Sequence, residues 1–473
     1  FASGTTMWRS NPGGSVPLAF SCACVMFAFA SRTAAQSVPS NAPRLGGPID
    51  SLVVLALSVS PDIAAARQRV EAARARVGPA GARPDPMLTA GLENLPLGRE
   101  AATASPNGIP MGGGPDPMTM RVIGVSQTIP FPGKLSRRTA VAQREVDAAV
   151  AVLDDARAKV VHDVRTAYYE LAYTDLTLGI IMQNQVALMA MASATNSSYA
   201  VGSSAQQDVL DARIDVAKLA QQTNALREQR AAQLAALNSL LDRPTDAPVD
   251  SARIPARIIG AAVADSVREV RFTSRAFGSA PANSPLPPLD SLQSMAIANS
   301  TMLREHEARI TVQTARLAAA RRETRPDIDV SVQYGQRSGF PDMITAEVSV
   351  PIPIQHARKQ DDDVAAARAD LAALEAEHRA SVNDLRARVA MLYANLERQR
   401  TQLALEKTAI LPQGQAALTD ALASYRIGRS DIRAVLARES TLLEYRLAYD
   451  RGLTDFAMAL ADLEQLVGVE VLP

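Results

Sequence analysis

The sequence predicts a mainly α chain with a small transmembrane β part, built as an internal duplication. Three observations carry that reading. Of 473 residues, 47% are hydrophobic but only 4% aromatic, and the formal charge is zero. Ala, Leu, Arg, Glu and Gln dominate, and such residues lose little side-chain freedom in a helix. Motifs of the first half return in the same order in the second. Finally, each half contains a pair of segments with strand character. The balanced charge gives no electrostatic reason to expect a nucleic-acid partner.

The repeat sets the organisation. Asp50-Ser51-Leu52 returns as Asp290-Ser291-Leu292, and Ala73-Arg74 as Ala315-Arg316. Arg83-Pro84-Asp85 returns as Arg325-Pro326-Asp327, and Ile129-Pro130-Phe131 as Ile352-Pro353-Ile354. The Tyr-x-x-Gly segment Tyr199–Gly202 returns as Tyr425–Gly428. The spacing is 240–242 residues before the strands and 223–226 after them. One length difference accounts for the change: Leu97–Pro117 is a Gly/Pro/Ser-rich loop, and the second half has only the turn Ser338–Pro341. Each half therefore reads helix, strand, loop, strand, long helix, turn, long helix. Residues 36–242 form the first unit, 243–288 a Pro-rich linker with some local structure, and 289–473 the second unit.

The strands are expected at about Met87–Leu95, Met118–Ile129, Asp327–Gln336 and Met343–Val350. The second pair alternates cleanly. Ile328, Val330, Val332 and Tyr334 face one way, and Asp329, Ser331 and Gln333 the other. Ile344, Ala346, Val348 and Val350 likewise oppose Thr345, Glu347 and Ser349. A strand of about 9–11 residues crosses a bilayer when tilted, so Ile328, Val330, Val332, Ile344 and Val348 are read as lipid-facing. Pro130-Phe131-Pro132-Gly133 and Pro351-Ile352-Pro353 end the pairs, because proline cannot donate to the ladder.

A long helix follows each pair. Lys134 to about Ser198 contains one glycine and no proline, which predicts a helix of about 100 Å. The helix after Lys359 is interrupted only at Pro412-Gln413-Gly414, where a kink is expected. Its apolar residues Leu371, Leu374, Val382, Leu385, Val389, Leu392 and Leu396 make a coiled-coil seam with one missed beat at His378. Val216, Leu219, Leu226, Leu234, Leu237 and Leu241 continue the pattern on a returning helix.

The N-terminal segment has the layout of a secretory signal over residues 1–35: Arg9, an apolar run from Val16 to Ala30, then small-residue sites. Both cysteines, Cys22 and Cys24, lie in it, so disulfide and thiol chemistry are not expected of the mature chain. Cys22 matches a lipidation motif poorly. Beyond this segment no run of 18 apolar residues occurs. A membrane-embedded part must then be a β-barrel, and four strands cannot close one alone without leaving edges unpaired in lipid. Several copies must share it.

These features resemble the TolC-like outer-membrane efflux family over nearly the whole mature length. The resemblance rests on Arg83-Pro84-Asp85-Pro86-Met87, on Val125–Lys134, and on the two Tyr-x-x-Gly turns followed by Asp208-Val209-Leu210 and Ala434-Val435-Leu436. It implies a homotrimer with a shared twelve-stranded barrel, a long α-helical barrel in the periplasm, and an equatorial domain. It implies contact with outer-membrane lipid, a periplasmic adaptor protein and an inner-membrane pump of the RND type. It implies passive conduction of exported solutes. Pro130-Phe131-Pro132-Gly133-Lys134 is similar to the heavy-metal branch. A type I secretion exit duct for polypeptides is the alternative within the class, and a structural periplasmic coiled-coil protein the alternative outside it.

No nucleophile constellation, phosphate cradle or paired-acid site stands out, so neither an enzyme nor a cofactor is expected. His162, His306, His356 and His378 lack ligand spacing, so no metal site is expected. Tyr199, Gly202, Tyr425 and Gly428 are expected at helical tips that touch the adaptor. The resemblance implies acidic gate residues on the second hairpin, but Ala434 and Ala437 occupy those places. The candidate gate is instead Asp208 and Asp211 of one hairpin facing Tyr425, Arg429 and Arg433 of a neighbouring one.

Overall fold

A four-stranded antiparallel sheet of order β1-β2-β3-β4 stands at one end of a set of long helices. This computed structural model describes residues 49–94, 119–202, 205–263, 286–337, 340–355 and 358–472. The expected signal segment, the loop Leu97–Pro117 and His356 lie outside the described residues.

Each half opens with two helices rather than the single one expected. α1 (Ile49–Val59) and α2 (Pro61–Gly81) are parted at Ser60, and α6 (Leu289–Asn299) and α7 (Thr301–Glu323) at Ser300. Both serines leave helical geometry through ψ, at 124° and 122°, and both are buried. Pro61 disfavours helical geometry at Ser60, and the Ser300 hydroxyl accepts the Leu303 N–H to cap the next helix. Repeat-equivalent Leu52 and Leu292, and Ala56 and Ala296, are all fully buried beneath these breaks.

β1 (Met87–Glu93) and β2 (Met120–Ile129) form the first hairpin, β3 (Ile328–Arg337) and β4 (Met343–Ser349) the second. Ile129 pairs with Ile328 and Val125 with Val332, so the duplicated hairpins join through β2 and β3. β1 and β4 are the sheet edges.

From the sheet, α3 (Lys134–Ala200) runs unbroken for 67 residues, about 100 Å. α4 (Gln206–Leu240) returns along it. The second hairpin is α8 (Gln360–Leu405), a π turn (Glu406–Ile410) and α9 (Leu411–Arg426), with α10 (Ile432–Val467) returning. The expected interruption at Pro412-Gln413-Gly414 is thus displaced. Proline and glycine both lie inside α9, and the widened turn precedes them. There the Leu411 N–H bonds back to the Glu406 carbonyl. Pro412 has no N–H for the Thr408 carbonyl and its ring would strike that oxygen; the wider turn accommodates both problems.

The seam on α8 packs as expected. Leu385, Val389 and Leu396 are fully buried, while Leu371 and Leu374 nearer the sheet are half-buried. The main core lies midway along the bundle, where α1, α3, α4, α6, α8 and α10 meet. The described first part of the expected linker joins it; residues 264–285 lie outside the described residues. Val249 and Ala252, with Ile258, Ala261 and Ala262 of α5 (Ala256–Val263), are buried there. Arg400, 1% exposed, donates from Nε to the Ala261 carbonyl at 3.2 Å and from Nη1 to Glu397 at 2.8 Å. Part of the 243–263 stretch therefore belongs to the core, because its apolar residues, which the Pro-rich composition concealed, pack there.

A stretch of α3 is apolar enough by composition to pass for a membrane span. It lies in the same continuous helix whose start abuts the sheet. Its Ile181 and Leu188 pack against the second hairpin, while Met182, Val186 and Met189 remain exposed.

Candidate functional site: a two-faced sheet and the helical tips

The register sorts the four strands into two faces. Val332 lies beside Val125, Leu88 and Ala346, and Tyr334 beside Ile123, Ala90 and Ile344. Val330 lies beside Val348, and Ile328 beside Ile129. Leu88, Ile123, Val125, Val332, Ile344 and Val348 are 50–76% exposed, an apolar surface that none of the described residues covers. The opposite face carries Ser331 beside Ser126 and Glu347, Gln333 beside Thr345, and Asp329 beside Thr128 and Ser349. The side chains of Thr128 and Asp329 hydrogen-bond across the strands there. One face suits hydrocarbon and the other water, the division a barrel wall requires. Val330 and Ile328, predicted for the apolar face, share it with Val332, Ile344 and Val348. The β3–β4 turn is closed by Asp342, which accepts from the Tyr334 hydroxyl and the Arg337 N–H.

At the base of the sheet the two repeats are clamped together. Gly133 has φ +91°, a left-handed conformation that lets Pro130-Phe131-Pro132 turn straight into α3. A side chain there would come 2.9 Å from Nε of Arg322. Lys134, 4% exposed, reaches Asp327 at 2.8 Å and Glu323 at 3.2 Å. Asp327 also accepts the Phe131 N–H at 2.8 Å, and Arg138 pairs with Glu323. The Arg322 guanidinium lies 5.0 Å over the Phe131 ring and donates to the Pro132 carbonyl. Sequence reading identified both motifs but not their meeting, because almost 200 residues separate them.

The two chain reversals lie at the other end. Gly202 (φ +76°) and Gly428 (φ +71°) each donate N–H to the carbonyl of the tyrosine three residues earlier, at 2.9 and 3.0 Å. Tyr425 packs on a small apolar cluster that includes Ile181, Leu188, Leu219, Leu418 and Leu436, so the two hairpins of one chain touch near their tips. Tyr199 is 45% exposed.

Of the candidate gate residues the fold brings one pair together. Arg433 Nε meets Asp211 Oδ2 at 2.9 Å, linking α10 to α4 within one chain. Asp208 has another role: its carboxylate accepts the Ala205 N–H at 3.3 Å, closing the first turn of α4. Its place at the third helical position explains the difference. Arg429 contributes its backbone N–H to the Ser424 carbonyl at 2.9 Å. Asp431, which the sequence reading passed over, caps α10 by accepting the Ala434 N–H at 3.0 Å. An acidic residue just before an apolar run is a legible cap signal.

A further set of polar contacts fastens the C-terminal helix to α3 at mid-height. Arg165 holds Glu464 at 2.6 Å and Glu470 at 2.8 Å, and Arg451 grips Glu170 through both amino groups at 3.1 Å. His162 lies between Asp462 (2.6 Å) and Asp163 (3.1 Å). The hydrogen bond to Asp462 raises its pKa above the ordinary 6.5, against a partial burial that lowers it and with help from Asp163. Among the described residues no three His, Cys, Asp or Glu side chains converge as a metal site would require.

A long-helix body carrying a two-faced four-stranded sheet defines a class of outer-membrane channel proteins. The family model described as "Outer membrane efflux protein" matches residues 52–243 and 292–469, one match per repeat. This chain belongs to the outer membrane efflux protein family. It is a channel component rather than an enzyme, seated in the outer membrane and extending into the periplasm. No curated protein sequence matches the chain significantly. Solved structures share the fold. Crystal structures of CusC align at TM-score 0.68 and 17% identity, covering 89% of this chain and 92% of that one. The outer membrane protein VceC of Vibrio cholerae aligns at 0.66 and 18%, covering 89% and 96%. The CmeC outer membrane channel of Campylobacter jejuni aligns at 0.64 and 14%, covering 89% and 85%.

Proposed function

We propose that three copies of this chain assemble into one conduit and conduct exported solutes passively, handed on by a periplasmic adaptor and an inner-membrane pump of the RND type. The observation that carries this reading is the sheet. It has an exposed apolar face, a polar face and two free edges, and an open edge in lipid costs several kcal/mol per unpaired group. A periplasmic scaffold would need no such sheet, which argues against the structural alternative. The helices supply a tunnel wall about 100 Å long, and Tyr199, Gly202, Tyr425 and Gly428 mark the end an adaptor would meet.

A conduit of this length must close at its periplasmic end, and the Asp211–Arg433 pair is the charge contact placed to hold the hairpins in register there. Both side chains are partly exposed, so one pair contributes only about 0–1 kcal/mol. Three copies around a ring form a latch weak enough for an adaptor to release. The purified channel in planar bilayers tests this. Asp211→Ala should raise single-channel conductance at low salt, where such pairs are strongest, with unchanged assembly. Conductance equal to the parent at low salt would refute the latch. As for cargo, the resemblance of Pro130–Lys134 to the heavy-metal branch favours metal ions over polypeptides. A strain lacking the chain should then become sensitive to copper, silver, cobalt, zinc or cadmium; sensitivity to none of these would remove that substrate class.

A further inference from the structure

The sheet leaves β1 and β4 as its two edge strands. Among the described residues each of these strands pairs on one side only, which leaves a row of outward backbone N–H and C=O groups. Beside β4, Ile352 and Ile354 are 81% and 90% exposed, although neither lies within a strand. The internal duplication says what covers them and in which register. From Arg83-Pro84-Asp85 and Arg325-Pro326-Asp327, β1 maps onto β3 with a spacing of 242 residues. From Val125-Ser126 and Val348-Ser349, and from Ile129-Pro130 and Ile352-Pro353, β2 maps onto β4 with a spacing of 223.

The hairpins themselves check this mapping. Met87 pairs with Ser126 and Thr89 with Gly124. Transferred by those two spacings, the pairs become Asp329 with Ser349 and Ser331 with Glu347, and both occur. The mapping therefore keeps the hydrogen-bond register to the residue.

We infer that β4 of one copy pairs with β1 of the next in the register obtained by applying the same mapping to the β2–β3 junction. This rests on the assembly proposed above and specifies its seam. Gln127 with Val330 becomes Val350 with Leu88, and Val125 with Val332 becomes Val348 with Ala90. Ile123 with Tyr334 becomes Ala346 with Leu92, and Ser126 with Ser331 becomes Ser349 with Thr89. Each pair is antiparallel, as closure of a four-stranded unit requires. The faces supply an independent check. Leu88, Ala90 and Leu92 share the apolar face with Ala346 and Val348, and Thr89 shares the polar face with Ser349. A seam displaced by one residue would put apolar side chains into the lumen at every rung. Below the strands, the bond from the Phe131 N–H to Asp327 maps onto Ile354 and Asp85 of the neighbouring copy. Ile352 and Ile354 then lie under the next copy's Arg83–Pro86 segment, which removes their exposure.

Cysteine pairs in the full-length chain test the seam. Directly opposed residues have Cβ atoms about 4.5–5.5 Å apart, near disulfide reach, while diagonal neighbours at about 7–8 Å lie beyond it. Adjacent rungs alternate between wide and close pairs, so two rungs are used. Thr89→Cys with Ser349→Cys, and Ala90→Cys with Val348→Cys, are oxidised in outer-membrane fractions and run in denaturing gels without reductant. The single-cysteine variants control for Cys22 and Cys24. At least one rung should give a covalent three-chain species that collapses on reduction. Thr89→Cys with Glu347→Cys, two residues out of register, should stay monomeric. If the displaced pair links and both registered pairs do not, the register is wrong while the shared barrel stands. If no pair links and the parent chain also lacks a three-copy mass in detergent, the shared barrel itself is overturned.

Discussion

Lys134 shows how one side chain can hold two halves of a molecule. It is 4% exposed and faces two carboxylates from the other repeat, Glu323 and Asp327. Those partners keep 38% and 27% of their side-chain exposure, so removing the cation costs less than breaking a fully enclosed pair. Lys134→Ala should destabilise the chain by about 1–3 kcal/mol, read as a lower thermal transition in detergent. An unchanged transition would show that the clamp is ornamental. His162 offers a pH-dependent case. Its folded pKa lies above 6.5, so its bonds to Asp462 and Asp163 stabilise most fully below that value. That stabilisation is lost as pH rises through the folded pKa. The stability advantage of the parent over His162→Gln should therefore be largest below about pH 6.5 and vanish in alkaline buffer. A difference constant from acid to alkali would assign His162 to packing alone.

At the scale of elements, the strands make the sharpest statement. Val330 and Val348 pair on the apolar face, while Ser331 lies on the polar face beside Glu347 and Ser349 lies there beside Asp329. Arg at Val330 or Val348 should cost about 2–4 kcal/mol if the position reaches mid-bilayer, and should reduce the membrane-inserted fraction. Arg at Ser331 or Ser349 should insert normally. Equal insertion of the two sets would remove the face assignment. The helices obey a different rule. α9 tolerates Pro412 and Gly414 because the π turn before it absorbs the missing hydrogen bond, so the hairpin runs on past its breaker residues.

For the whole molecule, the fold leaves unsatisfied what a single chain cannot satisfy. The sheet has two free edges, and the tip half of α3 exposes Val186 and Met189. Neighbours in the proposed ring would cover both features. Chemical crosslinking of the detergent-purified protein should give a three-subunit species and no larger one. A monodisperse single chain that stays out of the membrane fraction would overturn the assembly.

Much of this was legible in the residues alone. The duplication, the strand pairs, the sides of β3 and β4, the 67-residue helix and the two glycine turns all follow from local periodicity, proline and glycine chemistry, and repeated motifs. Such signals act over a few residues and survive translation into structure. The tertiary structure alone decided which distant groups meet. It placed Lys134 against Asp327, gave Arg433 to Asp211 while Asp208 caps its own helix, and moved the helix interruption upstream of Pro412. It also drew part of the Pro-rich linker into the core. The reason is physical: a side chain's local pattern fixes the face it occupies, but its partner depends on how far along a neighbouring helix or strand that face slides. That offset is set by the packing of the whole bundle.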